Sequence, residues 1–304
     1  MRYQGNIVRP PSESSSYILQ VTVGCSHSDC AHCDINLADK TFQIRPIEQV
    51  LEDIDMARHI RSQTERVFLA DGNALILSTE RLAQILDALN EAFPALKRVG
   101  TFARPEDVLT KSDEELDLLK EKKLGIVYLC FGSGSDDVLQ RIDVDVSTDE
   151  IIAAAEKIQE IGFELVLTAV LGLGGEQLSQ DHIQKSAELI NRISPDFLSI
   201  MTLTLMQGSK LHQEWLSGEF NLLYPRQTLL ELRQMIELLD EKKPFELNAR
   251  HASNYIKLQG MLPEDRGNLL NQIDSALKEG NGKLKSRYGQ PPRGGSLPQS
   301  NLIK

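Results

Sequence analysis

Six apolar, strand-like segments alternate with helix-like segments over most of this 304-residue chain. The strand-like segments are residues 17–23, 67–70, 98–102, 125–131, 163–171 and 197–205. Each is almost continuously apolar, as strands of a covered parallel sheet are, and each precedes apolar residues at helical spacing. Right-handed crossovers coil such units into a full or partial α/β barrel, or open them into a doubly wound sheet. The alternation predicts an α/β fold with ligand-binding residues at the carboxyl ends of the strands.

Three of the four cysteines lie within nine residues, in a loop that follows the first predicted strand. Cys25, Cys30 and Cys33 are close enough in sequence for their thiolates to bind one metal centre. A zinc ion would need a fourth ligand, such as His27 or His32, but zinc sites usually pair two such short knuckles. An iron–sulfur cluster normally takes four thiolates, so three would leave one iron open to a small molecule. The position at the end of a strand favours a catalytic centre.

The run Thr22-Val-Gly-Cys25-Ser-His-Ser-Asp-Cys30-Ala-His-Cys33, with five more strand–helix units after it, resembles the radical S-adenosylmethionine (SAM) superfamily. Four residues between the first two cysteines occur in a subset that includes the elongator catalytic subunit. The Gly-Cys-Ser-His opening is similar to members described as coproporphyrinogen-oxidase-like. The resemblance covers about residues 17–277 and implies a partial (βα)6 barrel of parallel strands with a C-terminal helical extension.

This resemblance implies that Cys25, Cys30 and Cys33 hold a [4Fe-4S] cluster whose open iron binds SAM. Reduction by a flavodoxin- or ferredoxin-type donor would cleave SAM to a 5'-deoxyadenosyl radical, which takes hydrogen from a small-molecule or protein substrate. A non-catalytic zinc or iron–sulfur protein is an alternative, supported by Asn73 and Gly132, which stand at acidic family positions. A tetrapyrrole-modifying enzyme resembling anaerobic coproporphyrinogen oxidase is another.

The turn after the second predicted strand contains Asp71, Gly72 and Asn73. The family carries there a Gly-Gly-Glu-like turn that accepts hydrogen bonds from the SAM ammonium, so the resemblance implies a cofactor contact. An ordinary Asp-Gly turn is the alternative. His32 stands where the family usually has an aromatic residue beside the cluster, and its ring could pack on the adenine of SAM; a loop histidine with backbone partners is the alternative.

The turns after the fourth and fifth predicted strands are further candidates for SAM binding. Ser133 and Gly134 follow Gly132, and Arg141 on the next helix could bind the SAM carboxylate through both guanidinium nitrogens. A solvated surface arginine is the alternative. The adenine-contact motif of the family is similar to a glycine-rich run that contains Gly172, Gly174 and Glu176.

Polar residues 248–255 include His251 and Asn254 and resemble a signature near the C-terminus of the coproporphyrinogen-oxidase-like group. We expect them to reach over the barrel mouth and contact substrate or SAM; loop hydrogen bonding without a ligand is the alternative. Cys130 lies among apolar residues of the fourth predicted strand, which indicates a buried, unreactive thiol.

A net charge of −11 argues against nucleic-acid or anionic-membrane partners, which need clustered Lys and Arg. No apolar stretch reaches the ~18 residues of a membrane span, and the N-terminus lacks a signal-peptide core, so we expect a cytoplasmic protein. The expected divisions are a flexible segment at 1–16, the barrel at 17–245, an extension over its mouth at 246–283 and a disordered tail at 284–304. Capping boxes at Ser112 with Glu115 and at Ser147 with Glu150 predict two helix starts.

Overall fold

The computed structural model of this chain describes residues 2–5, 7–27, 30–33, 41–240 and 243–279. The chain forms two compact units, each built from several stretches of sequence. The first unit comprises Met1–Ser28, Ile35–Phe131 and Asp149–Leu167, and the second comprises Asp29–Asp34, Gly132–Thr148 and Thr168–Lys304. The tail predicted at 284–304 lies outside the described residues.

Most of the strands belong to one largely parallel sheet. The strands are β1 (Tyr17–Gln20), β2 (Thr22–Val23), β3 (Gln43–Ile44), β4 (Arg66–Ala70), β5 (Arg98–Ala103), β6 (Leu124–Gly132), β7 (Glu164–Leu171), β8 (Phe197–Thr202), β9 (Phe245–Ala249) and β10 (Leu258–Leu262). Eight of them form a sheet in the order β1-β4-β5-β6-β7-β8-β9-β10. The pairs β1·β4, β4·β5, β5·β6 and β8·β9 are parallel, and β9·β10 is antiparallel. The predicted α/β class with parallel strands is confirmed.

Helices follow most of the strands. They are α1 (Ile47–Arg58), α2 (Thr79–Ala92), α3 (Pro105–Leu109), α4 (Asp113–Glu121), α5 (Asp136–Arg141), α6 (Thr148–Ile161), α7 (Gly175–Ile193), α8 (Lys210–Ser217), α9 (Pro225–Leu238) and α10 (Arg266–Lys278). The short helix α3 was not predicted, because five residues show too little periodicity. Within the described ranges, no helix is both long and apolar enough to span a membrane.

The first predicted strand is interrupted rather than continuous. It was expected over residues 17–23, but β1 ends at Gln20 and β2 pairs antiparallel with β3 in a separate two-stranded sheet. Arg45 explains the break, since its Nη1 donates to the Gln20 carbonyl at 2.7 Å and its backbone N–H to the Val21 carbonyl at 3.1 Å. The buried Arg45 guanidinium also pairs with Asp53 at 2.9 Å. The cysteine loop therefore starts at the end of the small two-stranded sheet, which Arg45 holds in place, and not at the end of a strand of the main sheet.

The C-terminal residues continue the sheet. Residues 246–283 were expected to form an extension over the barrel mouth, but Phe245–Ala249 adds a parallel strand beside β8, with Phe197 opposite Glu246. Its residues alternate between buried and half-buried, as a strand with one covered face does. The polar segment at 248–255 consequently begins inside a strand and ends in the turn that precedes β10.

The N-terminal residues, expected to be flexible, are part of the first unit. Glu13 lies in a short 3-10 turn, Pro11–Glu13, and is 1% exposed. Its carboxylate pairs with Arg98 at 2.7 Å and accepts the Tyr128 hydroxyl at 2.8 Å. Gly100 lies beside it, and a Cβ there would be 2.8 Å from Ile126 Cγ2 and 3.1 Å from Phe68 Cδ2, so the glycine makes room for these two side chains. A buried carboxylate needs a cationic partner and hydrogen bonds, and the composition alone does not reveal that Glu13 has them.

Candidate functional site

The Cys25 loop is held in the first unit by the turn after β4. The Cys25 thiol is partly exposed, and its Sγ lies 3.6 Å from Asn73 Oδ1. Burial raises the pKa of this thiol, while a backbone hydrogen bond at His27 and the positive charge of Arg104 oppose the rise. Arg104 follows β5 directly, so the carboxyl end of a neighbouring strand brings a cation near the cysteine. This proximity was not predicted from the sequence.

Asp71 faces the base of the same loop. Its side chain is fully buried, and the carboxylate accepts hydrogen bonds from the Gly24 backbone N–H at 3.1 Å and from Gln20 Nε2 at 3.0 Å. Thr22 Oγ1 donates to the Asp71 carbonyl at 3.1 Å. The carboxylate thus ties strand β1 and the start of the cysteine loop to the turn after β4.

Gly72 brings the turn into direct contact with the cysteine backbone. Its φ of +34° lies in the left-handed region, and a Cβ built on it would be 2.1 Å from the Gly24 carbonyl oxygen and 2.9 Å from Cys25 Cα. Side chains larger than hydrogen cannot fit in that space. The glycine therefore permits the close approach that sets the position of Cys25.

Asn73 and Asp107 form the third contact with this loop. Asn73 Oδ1 accepts the Ser26 backbone N–H at 3.1 Å, and Asn73 Nδ2 donates to Ser26 Oγ at 2.9 Å. The same Nδ2 lies 3.0 and 2.8 Å from the two carboxylate oxygens of Asp107, which also accepts the Arg104 backbone N–H at 2.8 Å. Burial raises the pKa of Asp107 to about 6, and the hydrogen bonds from Arg104 and Asn73 oppose that rise.

Asp107 was missed by the sequence analysis, although a signal exists. Pro105 at the first position of α3 with Asp107 at the third is a helix-start pattern, and Asp107 caps the Arg104 N–H accordingly. What the pattern does not show is that the capping carboxylate also reaches a residue on another strand end. That contact spans 34 residues of sequence.

The Cys30–Cys33 part of the loop is anchored in the second unit. Cys33 N–H donates to the Cys30 carbonyl at 3.2 Å and closes a tight turn. Ala31 at its centre is 2% exposed; its N–H donates to Ile142 O at 2.9 Å, and its carbonyl accepts Leu211 N–H at 3.1 Å. The small side chain belongs to an apolar cluster that also contains Val138, Ile142, Leu173, Leu203, Leu205, Leu211, Trp215 and Phe220. Backbone and side-chain contacts together fix this turn.

His32 lies in that turn with its polar atom turned inward. Its Nδ1 is buried and makes no hydrogen bond with the described residues, although the residue as a whole is partly exposed. Burial lowers the pKa of His32 to about 4, which makes the ring neutral at physiological pH. A neutral, partly exposed imidazole is compatible with stacking against a flat ligand.

The three thiols are the metal-binding chemistry of this loop. Cys25, Cys30 and Cys33 are each partly exposed. In the part of the chain that the structure describes, no three His, Cys, Asp or Glu side chains already form a group that could hold a metal ion. The donor chemistry fits an iron–sulfur cluster, because thiolates are the ligands that such clusters take.

The Ser133–Gly134 turn packs inward against α7. Ser133 is fully buried, and its Oγ lies 2.8 Å from His182 Nδ1. The Gly134 N–H donates to Ser186 Oγ at 2.9 Å, and a Cβ on Gly134 would be 2.3 Å from the Lys185 carbonyl oxygen. These two polar groups, expected to contact SAM, therefore have protein partners. The i and i+4 spacing of His182 and Ser186 is the signal that places both on one helix face.

The glycine-rich turn after β7 is held by a buried carboxylate. Gly172 has a φ of +84°, and its N–H donates to Glu231 Oε2 at 2.7 Å. Ser179 Oγ donates to Glu231 Oε1 at 2.6 Å. Burial raises the pKa of Glu231 to about 7, and these two hydrogen bonds lower it only in part. Gly174 packs against the α7 backbone, and the exposed Glu176 accepts Gln227 Nε2 at 2.8 Å.

Arg141 has partners within the second unit. Its guanidinium pairs with Glu214 at 2.9 Å, and Nη2 donates to the Glu219 carbonyl at 3.3 Å. The guanidinium carbon lies 6.0 Å from the centre of the Phe220 ring, within the range of a cation–π contact. Binding of the SAM carboxylate, the role predicted for Arg141, would compete with these contacts.

His251 and Asn254 stabilise the junction of β8 and β9. Asn254 Nδ2 donates to the carbonyls of Ile200 and Ala249 at 2.7 and 2.8 Å, and its Oδ1 accepts Thr202 Oγ1 at 2.9 Å. His251 Nδ1 lies 2.7 Å from the hydroxyl of the neighbouring serine, at position 253. These Asn254 contacts are hydrogen bonds within the protein, as in the alternative without a ligand, and those to Ile200 and Thr202 span 54 and 52 residues.

Cys130 departs from its predicted environment. It was expected to be buried in the fourth predicted strand, but in β6 its side chain is exposed while those of Leu129 and Phe131 are fully buried. The alternation of side chains along a strand explains the difference, since Cys130 lies on the opposite face from its apolar neighbours.

Comparison with known proteins identifies the family that this chain matches. Residues 19–190, more than half of the chain, match the Radical SAM superfamily model. The heme chaperone HemW of Bacillus subtilis is 28% identical over 210 residues, which is 62% of this chain and 52% of HemW. The chain thus spans about half the length of this curated relative.

Solved structures share the fold. Coproporphyrinogen III oxidase, HemN, from Escherichia coli, described as a radical SAM enzyme, aligns with a TM-score of 0.56 and 16% identity over 73% of this chain and 51% of HemN. TsrM from Kitasatospora setae, a radical SAM methyltransferase solved with cobalamin and a [4Fe-4S] cluster, aligns with a TM-score of 0.54 and 14% identity, covering 67% of this chain and 39% of TsrM. At these identities the similarity concerns the fold alone.

Proposed function

This chain belongs to the radical SAM superfamily, and on that premise we propose that it is an enzyme whose [4Fe-4S] cluster cleaves SAM reductively. Cys25, Cys30 and Cys33 would be the cluster ligands. The observation that carries the proposal is the position of Cys25: a strand-end turn reaches its backbone through Gly72 and its sulfur through Asn73. Support comes from the family match and from TsrM, a fold relative with such a cluster.

When bound, the cluster and SAM together supply a 5'-deoxyadenosyl radical that removes a hydrogen atom from substrate. The chain's own part is to position these groups. Asp71 and Gly72 hold the start of the cysteine loop, and the buried Ala31 holds its second half. His32, neutral and partly exposed, is the candidate to pack on the adenine.

For the carboxylate of SAM we propose Arg104 in preference to Arg141. Arg104 follows β5 and is close enough to Cys25 to lower the pKa of its thiol. Its guanidinium is paired with Glu106; the Arg104 side chain is 18% exposed and that of Glu106 is 45% exposed, so Glu106 can turn to solvent when another carboxylate takes its place. Arg141 would have to give up Glu214, which is only 11% exposed, and its contact with Phe220. A guanidinium suits bidentate carboxylate binding.

Anaerobic reconstitution tests the proposed function. Protein loaded with iron and sulfide is expected to contain about four irons and to absorb as a brown iron–sulfur protein. After addition of dithionite and SAM it is expected to release 5'-deoxyadenosine. Zinc without iron, or iron without SAM cleavage, would overturn the enzyme assignment in favour of a non-catalytic metal protein.

Two cysteine variants make this experiment specific. Cys30→Ala removes one proposed ligand from a turn whose backbone contacts run through Ala31, so it is expected to lose both iron and 5'-deoxyadenosine formation. Cys130→Ala is the matched control, because Cys130 is exposed on β6 and is not a proposed ligand. Equal losses in both variants would contradict the assignment of the cluster to the loop.

A second candidate function follows from the relatives. HemW is a heme chaperone and HemN a coproporphyrinogen oxidase, so both act on tetrapyrroles. We propose tetrapyrrole binding as the alternative for this chain. Titration with haemin is expected to give a saturable shift of the Soret band if it holds, and no saturation if the substrate is of another class. The net charge of −11 disfavours a polycarboxylate ligand.

A further inference from the structure

The Asn73 amide lies directly beside Cys25, and its hydrogen bonds fix which end of the amide faces the sulfur. We call this arrangement the orientation lock. The amide group of an asparagine can face either way, and the direction is decided by its hydrogen-bond partners. Two carboxylate oxygens of Asp107 lie 2.8 and 3.0 Å from one end of the Asn73 amide, and only the NH2 group can face ionised acceptors at that distance. The other end accepts the Ser26 backbone N–H at 3.1 Å, which only the oxygen can do.

The consequence concerns the sulfur of Cys25. With the NH2 group facing Asp107, the Asn73 oxygen is the atom that lies 3.6 Å from Cys25 Sγ. A thiol can donate to this oxygen, but a metal-bound thiolate has no proton to donate and meets the negative end of the amide dipole. Hydrogen bonds donated to cluster sulfurs raise the reduction potential, so an acceptor in the same place lowers it.

Resting on the proposed function, we propose that Asp107 is a positioning residue that keeps the Asn73 oxygen, rather than its NH2 group, against Cys25 and so lowers the reduction potential of the cluster. Asp107 acts through Asn73. Its own carboxylate is held in place from α3, because it also accepts the Arg104 N–H. The side chain is 3% exposed, so bulk water does not compete for it.

Asp107→Asn changes this arrangement at nearly constant size. In the wild type one oxygen, Oδ2, accepts both the Arg104 N–H and Asn73 Nδ2; an asparagine oxygen in that place keeps both contacts, and its NH2 group replaces Oδ1, 3.0 Å from Asn73 Nδ2. Two NH2 groups then face each other, which raises the population of the reversed Asn73 amide, with its NH2 toward the sulfur, although that orientation gives up the Ser26 N–H. We expect about tenfold more reduced cluster at a fixed potential, which is ~59 mV for a one-electron couple. The measurement is a redox titration of the reconstituted protein at pH 8, followed by the electron paramagnetic resonance signal.

Glu106→Gln is the matched control. Glu106 precedes Asp107 on α3, and its charge also acts on Cys25, but it pairs with Arg104 and not with Asn73. A loss of charge alone therefore shifts the potential in both variants. The proposal requires a clearly larger shift in Asp107→Asn, and equal shifts would overturn it.

Asn73→Ala keeps the proposal testable if Asp107→Asn loads little iron. Removing the amide removes the oxygen beside Cys25, so the potential is expected to rise in this variant too. In an Asn73→Ala background, Asp107→Asn is expected to add no more than Glu106→Gln does, because coupled residues are non-additive. An unchanged potential in Asn73→Ala would refute the lock. The proposed function fails separately, if wild-type protein loads no cluster or does not cleave SAM.

Discussion

At Gly72 a missing side chain determines the position of a proposed metal ligand. A Cβ there would lie 2.1 Å from the Gly24 carbonyl oxygen, and a φ of +34° already disfavours any L residue. We expect Gly72→Ala to push the turn away from Cys25, lowering the free energy of unfolding by about 2 kcal/mol or more. Iron content after reconstitution is expected to fall several-fold. Urea unfolding of the apo protein measures the change in stability.

Gly267→Ala provides the matched control for that substitution. Gly267 lies in α10, where an added Cβ meets no heavy atom within 4 Å. Alanine has the higher helix propensity, so the variant is expected to be unchanged or stabilised by up to about 1 kcal/mol, with normal iron content. If Gly72→Ala loads as much iron as Gly267→Ala, the close approach of the turn has no bearing on the cysteine loop.

Single residues were predictable from sequence only where chemistry and spacing coincide. The three cysteines are predicted ligands because thiols at such intervals have few other uses, and their role stays a prediction. The partners of Asp71 and Ser133 were not, since a polar residue at a strand end can face a ligand or the protein with equal ease. Their buried hydrogen bonds to Gly24 and His182 depend on contacts 47 and 49 residues apart. Sequence patterns do not encode such pairings.

At the level of elements, α9 stabilises the turn after β7 through one carboxyl group. Burial raises the pKa of Glu231 from 4.5 to about 7, so the folded state holds its proton more tightly than the unfolded state. The stabilising effect is complete below pH 4.5 and is lost as the pH rises through about 7. We expect wild-type stability to fall between pH 5 and pH 8 by an amount on the order of 3 kcal/mol from this group.

Glu231→Gln isolates that contribution. The glutamine oxygen can accept the Gly172 N–H while its NH2 group donates to Ser179 Oγ, so both contacts persist without a charge. The variant is expected to lose the Glu231 part of the pH dependence and to be more stable than wild type at pH 8, as urea unfolding at several pH values will show. Glu237→Gln, at the end of the same helix with an exposed side chain, should keep the wild-type profile. Parallel profiles for Glu231→Gln and wild type would contradict the assignment.

Element positions were largely predictable because their signals are local. Ser112 and Glu115 form the predicted capping box, with Glu115 N–H donating to Ser112 Oγ at 3.2 Å and Ser112 N–H to Glu115 Oε2 at 2.8 Å. Three residues separate those partners. The break between β1 and β2 was missed because Arg45, 25 residues from Gln20, takes the carbonyl that a continuous strand would have used.

For the whole molecule, the proposed function predicts linked binding. If SAM binds the open iron, it stabilises only protein that already holds the cluster, by about 2.7 kcal/mol at a hundred times its Kd. We expect SAM to raise the Tm of the reconstituted protein by several degrees under anaerobic conditions, and to leave the apo protein and Cys30→Ala unchanged. An equal rise without the cluster would mean that SAM binds elsewhere.

The buried Glu13 shows where this fold begins. The family match starts at residue 19, yet Arg98 on β5 and the Tyr128 hydroxyl on β6 both take Glu13 as a partner. A fragment that contains only residues 19–190 would lack Glu13. Arg98 and the Tyr128 hydroxyl would then lose this buried partner. The residues that match the family model are therefore not all the residues that the fold needs. Truncated or chimeric versions of this protein should retain residues 10–16.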